Sequence, residues 1–258
     1  DAGVKWKSYS DDFDFLRIFK KFRFKTSRLD GMATFYWDVK NGNLPAVSWI
    51  NPNFADIGHD GNDDHPPADI LKGQKLVATI YNALINGGKD LWKKTMFIVT
   101  YDEHGGFYDH VQPPEAPDDR PDFRKYGCRV PALVVSPWVK KGGVSHTVFD
   151  HTSILRTILL RFCRSADGSV PSMGARVDNA NDLGSLLTED IPRTIATPQL
   201  KVAEPRKLTD MPKSFQQKAQ RPTELQDYVR VMKNEVYVFG NDKLVEPGEK
   251  QSGIPGDI

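Results

Sequence analysis

The residues best suited to chemistry in this chain are two adjacent carboxylates, Asp102 and Glu103, which follow a continuous apolar run over residues 95–101. Gly105 and Gly106 come soon after, and glycines permit a tight turn that could direct both side chains to one point. Two neighbouring carboxylates carry excess negative charge, for which a hard divalent cation is the natural partner. An Asp-Glu pair alone is more often a solvated loop. Its place between a predicted strand and two glycines favours a divalent metal site instead.

The histidines are confined to the middle of the chain, where the six are His59, His65, His104, His110, His146 and His151. Ordinary surface histidines would be scattered, so the clustering indicates a polar site in this region. His65 follows Asp64 just before a predicted helix, and helix N-termini favour anions. His65 could therefore bind or protonate a phosphate oxygen. Equally, Asp64 could be the helix N-cap and His65 a surface residue.

Two further Asp-His pairs are Asp109-His110 and Asp150-His151. Asp109 could orient a histidine by accepting a hydrogen bond from its ring, as carboxylates do behind metal-binding histidines. The pair Asp150-His151 stands at the start of a predicted helix. There, an N-cap followed by a polar surface residue is the favoured interpretation.

The elements that must position these side chains form an α/β pattern. Strands are predicted at the apolar runs 45–50, 95–101 and 131–136, and helices at 67–87 and 152–162. The run at 95–101 is typical of a central strand covered on both faces, as in a parallel sheet. Because open α/β sheets bind ligands at the carboxyl ends of their strands, the Asp-Glu pair occupies a favoured place.

The rest of the chain is less informative. Residues 166–224 are rich in Pro, Asp, Asn, Gly and Ser and are interpreted as long connections, with one helix predicted at 223–233 and a tail from 241 that is extended or disordered. The basic, aromatic stretch over residues 1–30 could bind nucleic acid or anionic lipid, but core aromatics beside solvated lysines are the favoured interpretation. Cys128 and Cys163 are expected to be separate buried thiols, or a disulfide if the protein is exported.

Composition and absent motifs exclude several functions. The 258 residues carry a net charge of +1, from 35 basic and 34 acidic residues, which argues against a broad nucleic-acid footprint. No apolar run reaches the length of a membrane span, and no signal peptide is visible. The chain has no Gly-x-Ser-x-Gly nucleophile elbow, no P-loop and no dinucleotide-binding fingerprint.

The stretch over residues 100–111, followed by Pro113 and Pro114, closely resembles the signature of the phosphoesterase family. That family contains bacterial phospholipases C, plant non-specific phospholipases C and some acid phosphatases. Further matches occur in the expected order at residues 44–50, 63–66, 129–131, 136–138 and 149–153. The resemblance covers roughly residues 1–190, which leaves residues 191–258 as a partly irregular C-terminal extension. It implies an α/β fold with an alkaline phosphatase-like central sheet sandwiched by helices.

The resemblance also implies roles for particular residues. It maps the family's metal-binding acidic pair onto Asp102 and Glu103 and its phosphate-site histidine onto His65, with His104 as a further catalytic candidate. The side chains expected to support the site or contact the substrate are Asp64, Asp109 and His110. The implied function is metal-dependent hydrolysis of a phospholipid or a small phosphate ester. The resemblance also implies an extracytoplasmic location, secreted or periplasmic, and contact with a membrane surface.

The family's Glu-Asn metal ligands and its Ser or Thr nucleophile match nothing in this sequence. The chain is therefore expected to be the C-terminal portion of the family domain, completed by a separate N-terminal segment. The alternative is a non-catalytic fragment or a degenerate module with the same fold.

Overall fold

The computed structural model describes residues 2–24, 27–54, 61–66, 68–194, 199–204 and 212–214. The strands are β1 (Trp6–Tyr9), β2 (Leu29–Asp30), β3 (Val47–Ile50), β4 (Phe97–Thr100) and β5 (Ala132–Val135). The α-helices are α1 (Met32–Lys40), α2 (Ile70–Ile85), α3 (His151–Phe162) and α4 (Ala175–Asp178). Short 3-10 helices cover Phe15–Ile18, Leu91–Lys94, Pro121–Phe123 and Leu183–Leu186. Helices and small sheets alternate along the chain, which confirms the α/β class.

The first three strands form a parallel sheet in the order β2-β1-β3. The register pairs Trp6 with Val47 and Tyr9 with Ile50 across β1 and β3, and Ser8 with Leu29 across β1 and β2. The strand predicted at 45–50 is confirmed as β3. Strands β1 and β2 were not predicted, because four and two residues are too few to show a period.

The main core lies between this sheet and the two helices α1 and α2. Tyr9 is fully buried, Phe35 is 1% exposed, and their rings meet edge to face with centroids 5.4 Å apart. The Tyr9 hydroxyl donates to Asp38 Oδ2 at 2.7 Å, and Lys7 Nζ lies 3.1 Å from the same oxygen. Burial raises the pKa of Tyr9, so its hydroxyl remains a donor to this buried carboxylate.

Strand β4 pairs antiparallel with β5, placing Phe97 opposite Val135 and Thr100 opposite Ala132. The prediction of a parallel-sheet strand covered on both faces is therefore wrong. Among the described residues β4 pairs with β5 alone, and all four of its residues are only half-buried. An apolar run reports the surroundings of a strand's two faces, but it carries no information on the direction of the neighbouring strand.

Helix α2 begins after Asp69, whose Oδ1 accepts the Leu71 N–H at 3.0 Å. Asp69 is therefore the N-cap, and the alternative that placed Asp64 in this role is wrong. The helix ends at Ile85, just before Gly87 and Gly88, which confirms the predicted stop.

Helix α3 starts at a capping box. The Asp150 side chain accepts the Ser153 N–H at 3.1 Å, and the Ser153 hydroxyl accepts the Asp150 N–H at 3.1 Å. The interpretation of Asp150 as a cap is confirmed.

We expect Asp150→Ala to lower the free energy of unfolding by about 1 kcal/mol, because it leaves an N-terminal amide of the helix without its acceptor. Urea denaturation tests this; the control Asp190→Ala, at an exposed aspartate, should leave the midpoint unchanged, and an equal shift in both would contradict the capping role.

The N-terminal aromatics follow the expected pattern only in part. Phe13 is buried, but Phe19 and Phe24 are 55% and 68% exposed. Both cysteines are free thiols; Cys128 is exposed, so the expectation of a buried thiol there is wrong. No helix within the described ranges combines the length and apolar character needed to cross a bilayer. The helix predicted at 223–233, the tail from 241, Pro67 and His59 lie outside the described residues.

Candidate functional site

The predicted acidic pair lies on a tight turn over residues 102–106, just beyond the end of β4. We call this segment the acidic turn. Asp102 Oδ1 accepts the Glu103 N–H at 3.0 Å, and Glu103 Oε2 accepts the Gly105 N–H at 2.6 Å. Gly105 and Gly106 have φ angles of 66° and 71°, in the left-handed region that glycine adopts without a steric penalty. Both acidic side chains are exposed to solvent. The turn therefore presents two carboxylates outward, each anchored to the backbone through one oxygen.

The donor type of this pair fits a hard divalent cation, since carboxylate oxygens are the ligands that such ions prefer. Two carboxylates are, however, too few to fill the coordination shell of such an ion. Within the described ranges, no group of three or more His, Cys, Asp or Glu side chains is placed to hold a metal ion. Asp102 and Glu103 could thus supply one side of a metal site, and further ligands would have to come from backbone oxygens, water, substrate or other residues.

Two histidine candidates lie in or beside this turn. His104 Nδ1 is 3.6 Å from Glu103 Oε2. His65 Nδ1 lies 2.9 Å from the carbonyl oxygen of Pro66, and a Cβ built on Gly105 would lie 3.9 Å from Pro66 Cγ. The loop that carries His65 is therefore adjacent to the acidic turn, as the sequence prediction requires. A carbonyl can only accept, so the His65 contact is a hydrogen bond when Nδ1 is protonated, which leaves Nε2 as the ring atom that can exchange a proton.

Two aspartates precede His65 on the same loop. Burial raises the pKa of Asp63, because the charged carboxylate loses its hydration there. Asp64 adopts a φ of 63° and its Oδ2 accepts a hydrogen bond from the Tyr101 hydroxyl at 2.6 Å. Asp64 is thus tied to the residue directly before Asp102, which brings the two predicted motifs together.

Tyr101 makes a second long-range contact, which the sequence did not indicate. Its carbonyl oxygen lies 2.8 Å from His151 Nε2, at the first residue of α3. The hydrogen bond to Asp64, followed by partial burial, raises the pKa of Tyr101 to about 12, so the phenol remains a donor at neutral pH. Sequence reasoning gave Tyr101 no role and treated His151 as a polar surface residue. No local pattern could have found either contact, since the partners are 37 and 50 residues apart.

Asp109 is held by Arg129 rather than by a histidine. The guanidinium donates to both carboxylate oxygens, at 2.8 and 2.9 Å, and the Arg129 and Val111 amides add bonds of 3.0 Å each. His110 Nδ1 is 4.0 Å from the carboxylate, and its side chain is 81% exposed. Asp109 therefore closes the long loop between β4 and β5, and His110 stands in solvent. These hydrogen bonds, that to the Arg129 side chain foremost, lower the pKa of Asp109.

The Asp109–Arg129 pair predicts a pH-dependent stability. Because the folded-state pKa of Asp109 is lowered, its contribution is present above the unfolded value of about 3.9 and is lost as pH falls through the folded value. We expect the melting temperature of the wild type to exceed that of Asp109→Asn at neutral pH, and the difference to shrink below about pH 4. Calorimetry at several pH values measures this, with Asp122→Asn as the exposed control. A difference that does not change with pH would contradict it.

Comparison with known proteins places these residues in a family context. Residues 1–163 match the model of the Phosphoesterase family. Non-specific phospholipase C6 of Arabidopsis thaliana is 39% identical over 150 residues, covering 50% of this chain and 28% of that protein. Non-specific phospholipase C4 of the same plant is 34% identical over 209 residues, covering 71% of this chain and 38% of that protein. Non-hemolytic phospholipase C of Burkholderia pseudomallei is 39% identical over 146 residues, covering 48% and 20%. The chain thus spans well under half the length of these curated relatives.

Proposed function

Because this chain belongs to the phosphoesterase family, we propose that it forms part of a metal-dependent phosphoric ester hydrolase of the phospholipase C type. The observation that carries the proposal is the family match over residues 1–163, which contains the acidic turn and the adjacent His65 loop. The relatives named phospholipase C support the substrate class. A phosphodiester of a phospholipid is accordingly the proposed substrate, with a small phosphate monoester as the second choice.

In this proposal Asp102 and Glu103 hold a divalent cation, and the exposure of both carboxylates leaves them accessible to it. The bound cation supplies positive charge that stabilises negative charge on the reacting phosphate. His65, with Nδ1–H directed at the Pro66 carbonyl, uses Nε2 to give a proton to the departing oxygen or to bind a phosphate oxygen. His104, next to Glu103 on the same turn, is the second histidine proposed to contact the phosphate.

Other parts of the proposal follow from the family resemblance. We place the chain in an alkaline phosphatase-like fold, with a Ser or Thr nucleophile and further metal ligands on a segment that precedes the matched region. Asp64 and Asp109 support the site through Tyr101 and Arg129, and an extracytoplasmic location suits an enzyme that meets phospholipid. Direct contact with the membrane surface is included in the proposal.

Product analysis tests the substrate class. The complete product of the gene that encodes this chain would be incubated with a divalent cation and, separately, phosphatidylcholine vesicles, a chromogenic phosphodiester and a chromogenic phosphomonoester. We expect diacylglycerol and a phosphorylated head group from the phospholipid. Hydrolysis of the monoester alone would replace phospholipase C by phosphatase activity, and no hydrolysis of any of the three would contradict the proposed function.

A non-catalytic role is the second candidate. It is favoured by the incomplete donor set, since the described part of the chain brings no third acidic, histidine or cysteine ligand to the Asp-Glu pair. In that case the chain would keep the family fold and bind phosphate esters or membranes without cleaving them. Vesicle binding that saturates without any release of diacylglycerol would support this candidate.

A further inference from the structure

All three hydrogen-bonding groups of Tyr101 are engaged, each by a different part of the molecule. Its N–H donates to the carbonyl oxygen of Pro131, next to β5, at 3.3 Å. Its carbonyl oxygen faces His151 Nε2 at the start of α3, and its hydroxyl donates to Asp64 on the loop before α2. The residue directly before Asp102 is therefore held from three sides. The contacts to Asp64 and His151 use side chains from motifs far away in the sequence.

The structure accommodates Asp64 with two unusual local features. Asp64 has a φ of 63°, in the left-handed region that residues with a Cβ rarely adopt. Gly73 stands opposite it in the interior of α2, where a Cβ would lie 2.1 Å from Asp64 Oδ1. A glycine inside a helix and a left-handed aspartate are both locally unfavourable, and residues held in such states concentrate at functional sites. Here the two features together leave space for the carboxylate that accepts the Tyr101 hydroxyl.

The turn after Tyr101 has little internal restraint of its own. Its two carboxylates repel one another, and its two glycines have no side chains to restrict the backbone. Within the turn itself, the side-chain anchors of Asp102 and Glu103 are bonds to neighbouring amides, which move together with the turn. Neither of these two bonds links the turn to another part of the molecule.

We propose that Tyr101 is the positioning residue of the acidic turn, clamped by Asp64 at its hydroxyl and by His151 at its carbonyl oxygen. This inference rests on the proposed function, in which Asp102 and Glu103 hold a divalent cation. In this role Tyr101 acts through the backbone of the turn and is a ligand of neither the cation nor the substrate. It fixes the turn so that both carboxylates reach the same point, and loss of the clamp leaves them to spread apart.

Mn²⁺ titration of the complete gene product, followed by electron paramagnetic resonance, tests the clamp without any substrate. Hydrogen exchange of the amides at 103–106 is measured on the same variants. We expect Tyr101→Phe and Asp64→Ala each to weaken Mn²⁺ binding by about 10- to 100-fold, as for other residues that hold metal ligands from behind. The double variant should be no weaker than either single one, since both remove the same bond. Exchange at 103–106 should accelerate in all three.

Two further variants separate positioning from general damage. Asp64→Asn keeps an oxygen that accepts the phenol hydrogen bond. Unlike Asp64→Ala, it should therefore bind Mn²⁺ with an affinity within a few-fold of the wild type. Tyr81→Phe removes a phenol oxygen from a half-buried tyrosine of α2 packed on Trp92, and should match the wild type in both measurements.

Wild-type affinity and wild-type exchange in Tyr101→Phe would overturn the clamp. Additive losses in the double variant would also overturn it, because Asp64 would then act on the cation independently of Tyr101. If the wild type binds no Mn²⁺, that result contradicts the proposed function but does not by itself decide the role of Tyr101. The clamp is then decided by exchange alone: acceleration at 103–106 in Tyr101→Phe supports it, and unchanged exchange contradicts it.

Discussion

Asp102→Ala is expected to lower cation-dependent hydrolysis of a chromogenic phosphodiester by at least about 100-fold, since even residues that only support metal ligands contribute about 10- to 100-fold. The physical reason is that Asp102 supplies one of two exposed carboxylates on a turn with no third acidic, histidine or cysteine ligand among the described residues. Removing Asp102 halves the negative charge that the turn itself offers to the ion. Steady-state rates of the complete gene product and its variant give the measurement.

The matched control for this change is Asp122→Ala. Asp122 is another exposed aspartate on the loop between β4 and β5, within the 3-10 helix Pro121–Phe123. Its replacement should leave the hydrolysis rate within a few-fold of the wild type, and both variants should melt near the wild-type temperature because exposed side chains contribute little to stability. Equal rates in Asp102→Ala and Asp122→Ala would remove Asp102 from the metal site.

His65→Ala is expected to lower the turnover number by about 10²- to 10⁴-fold, the range typical of a positioned general acid or base. His65 lies on the loop whose Pro66 borders the acidic turn, and its Nδ1 is directed at a backbone carbonyl, which fixes the ring. Divalent cation affinity should remain unchanged, since the His65 side chain is assigned to the phosphate. Two quantities are therefore measured on the wild type and the variant: the turnover number with a phosphodiester, and the affinity for the divalent cation without substrate.

His146→Ala is the control for this histidine, because His146 is exposed on a loop before α3. It should retain wild-type turnover. A His65→Ala variant that loses cation affinity together with turnover would instead make His65 a metal ligand. Wild-type turnover in His65→Ala would exclude both roles.

Local patterns were sufficient to predict the elements that carry the site. The apolar runs at 45–50, 95–101 and 131–136 contain β3, β4 and β5, and the helices predicted at 67–87 and 152–162 contain or nearly match α2 and α3. The Asp150 cap was also recognisable, because a cap and its amide lie within four residues. These features depend on interactions between near neighbours, which a sequence displays directly.

Features that depend on distant partners were not accessible in the same way. The antiparallel pairing of β4 with β5 is set by the path of the intervening loop, which Asp109 and Arg129 close. The contacts of Tyr101 with Asp64 and His151 join residues from three separate loops and helices, and nothing in their spacing reveals the meeting. The acidic turn could be predicted from its residue types, whereas the means of holding it required the fold.

The measurement that tests the central claim most directly is a calorimetric titration of a divalent cation into the complete gene product and into its Asp102→Ala/Glu103→Ala variant. No substrate is needed, so the result bears on the acidic turn alone. We predict one saturable cation site in the wild type and its loss in the variant, with similar melting temperatures for the two cation-free proteins. Equal binding by both proteins, or no binding by either, would contradict the assignment of Asp102 and Glu103 as metal ligands.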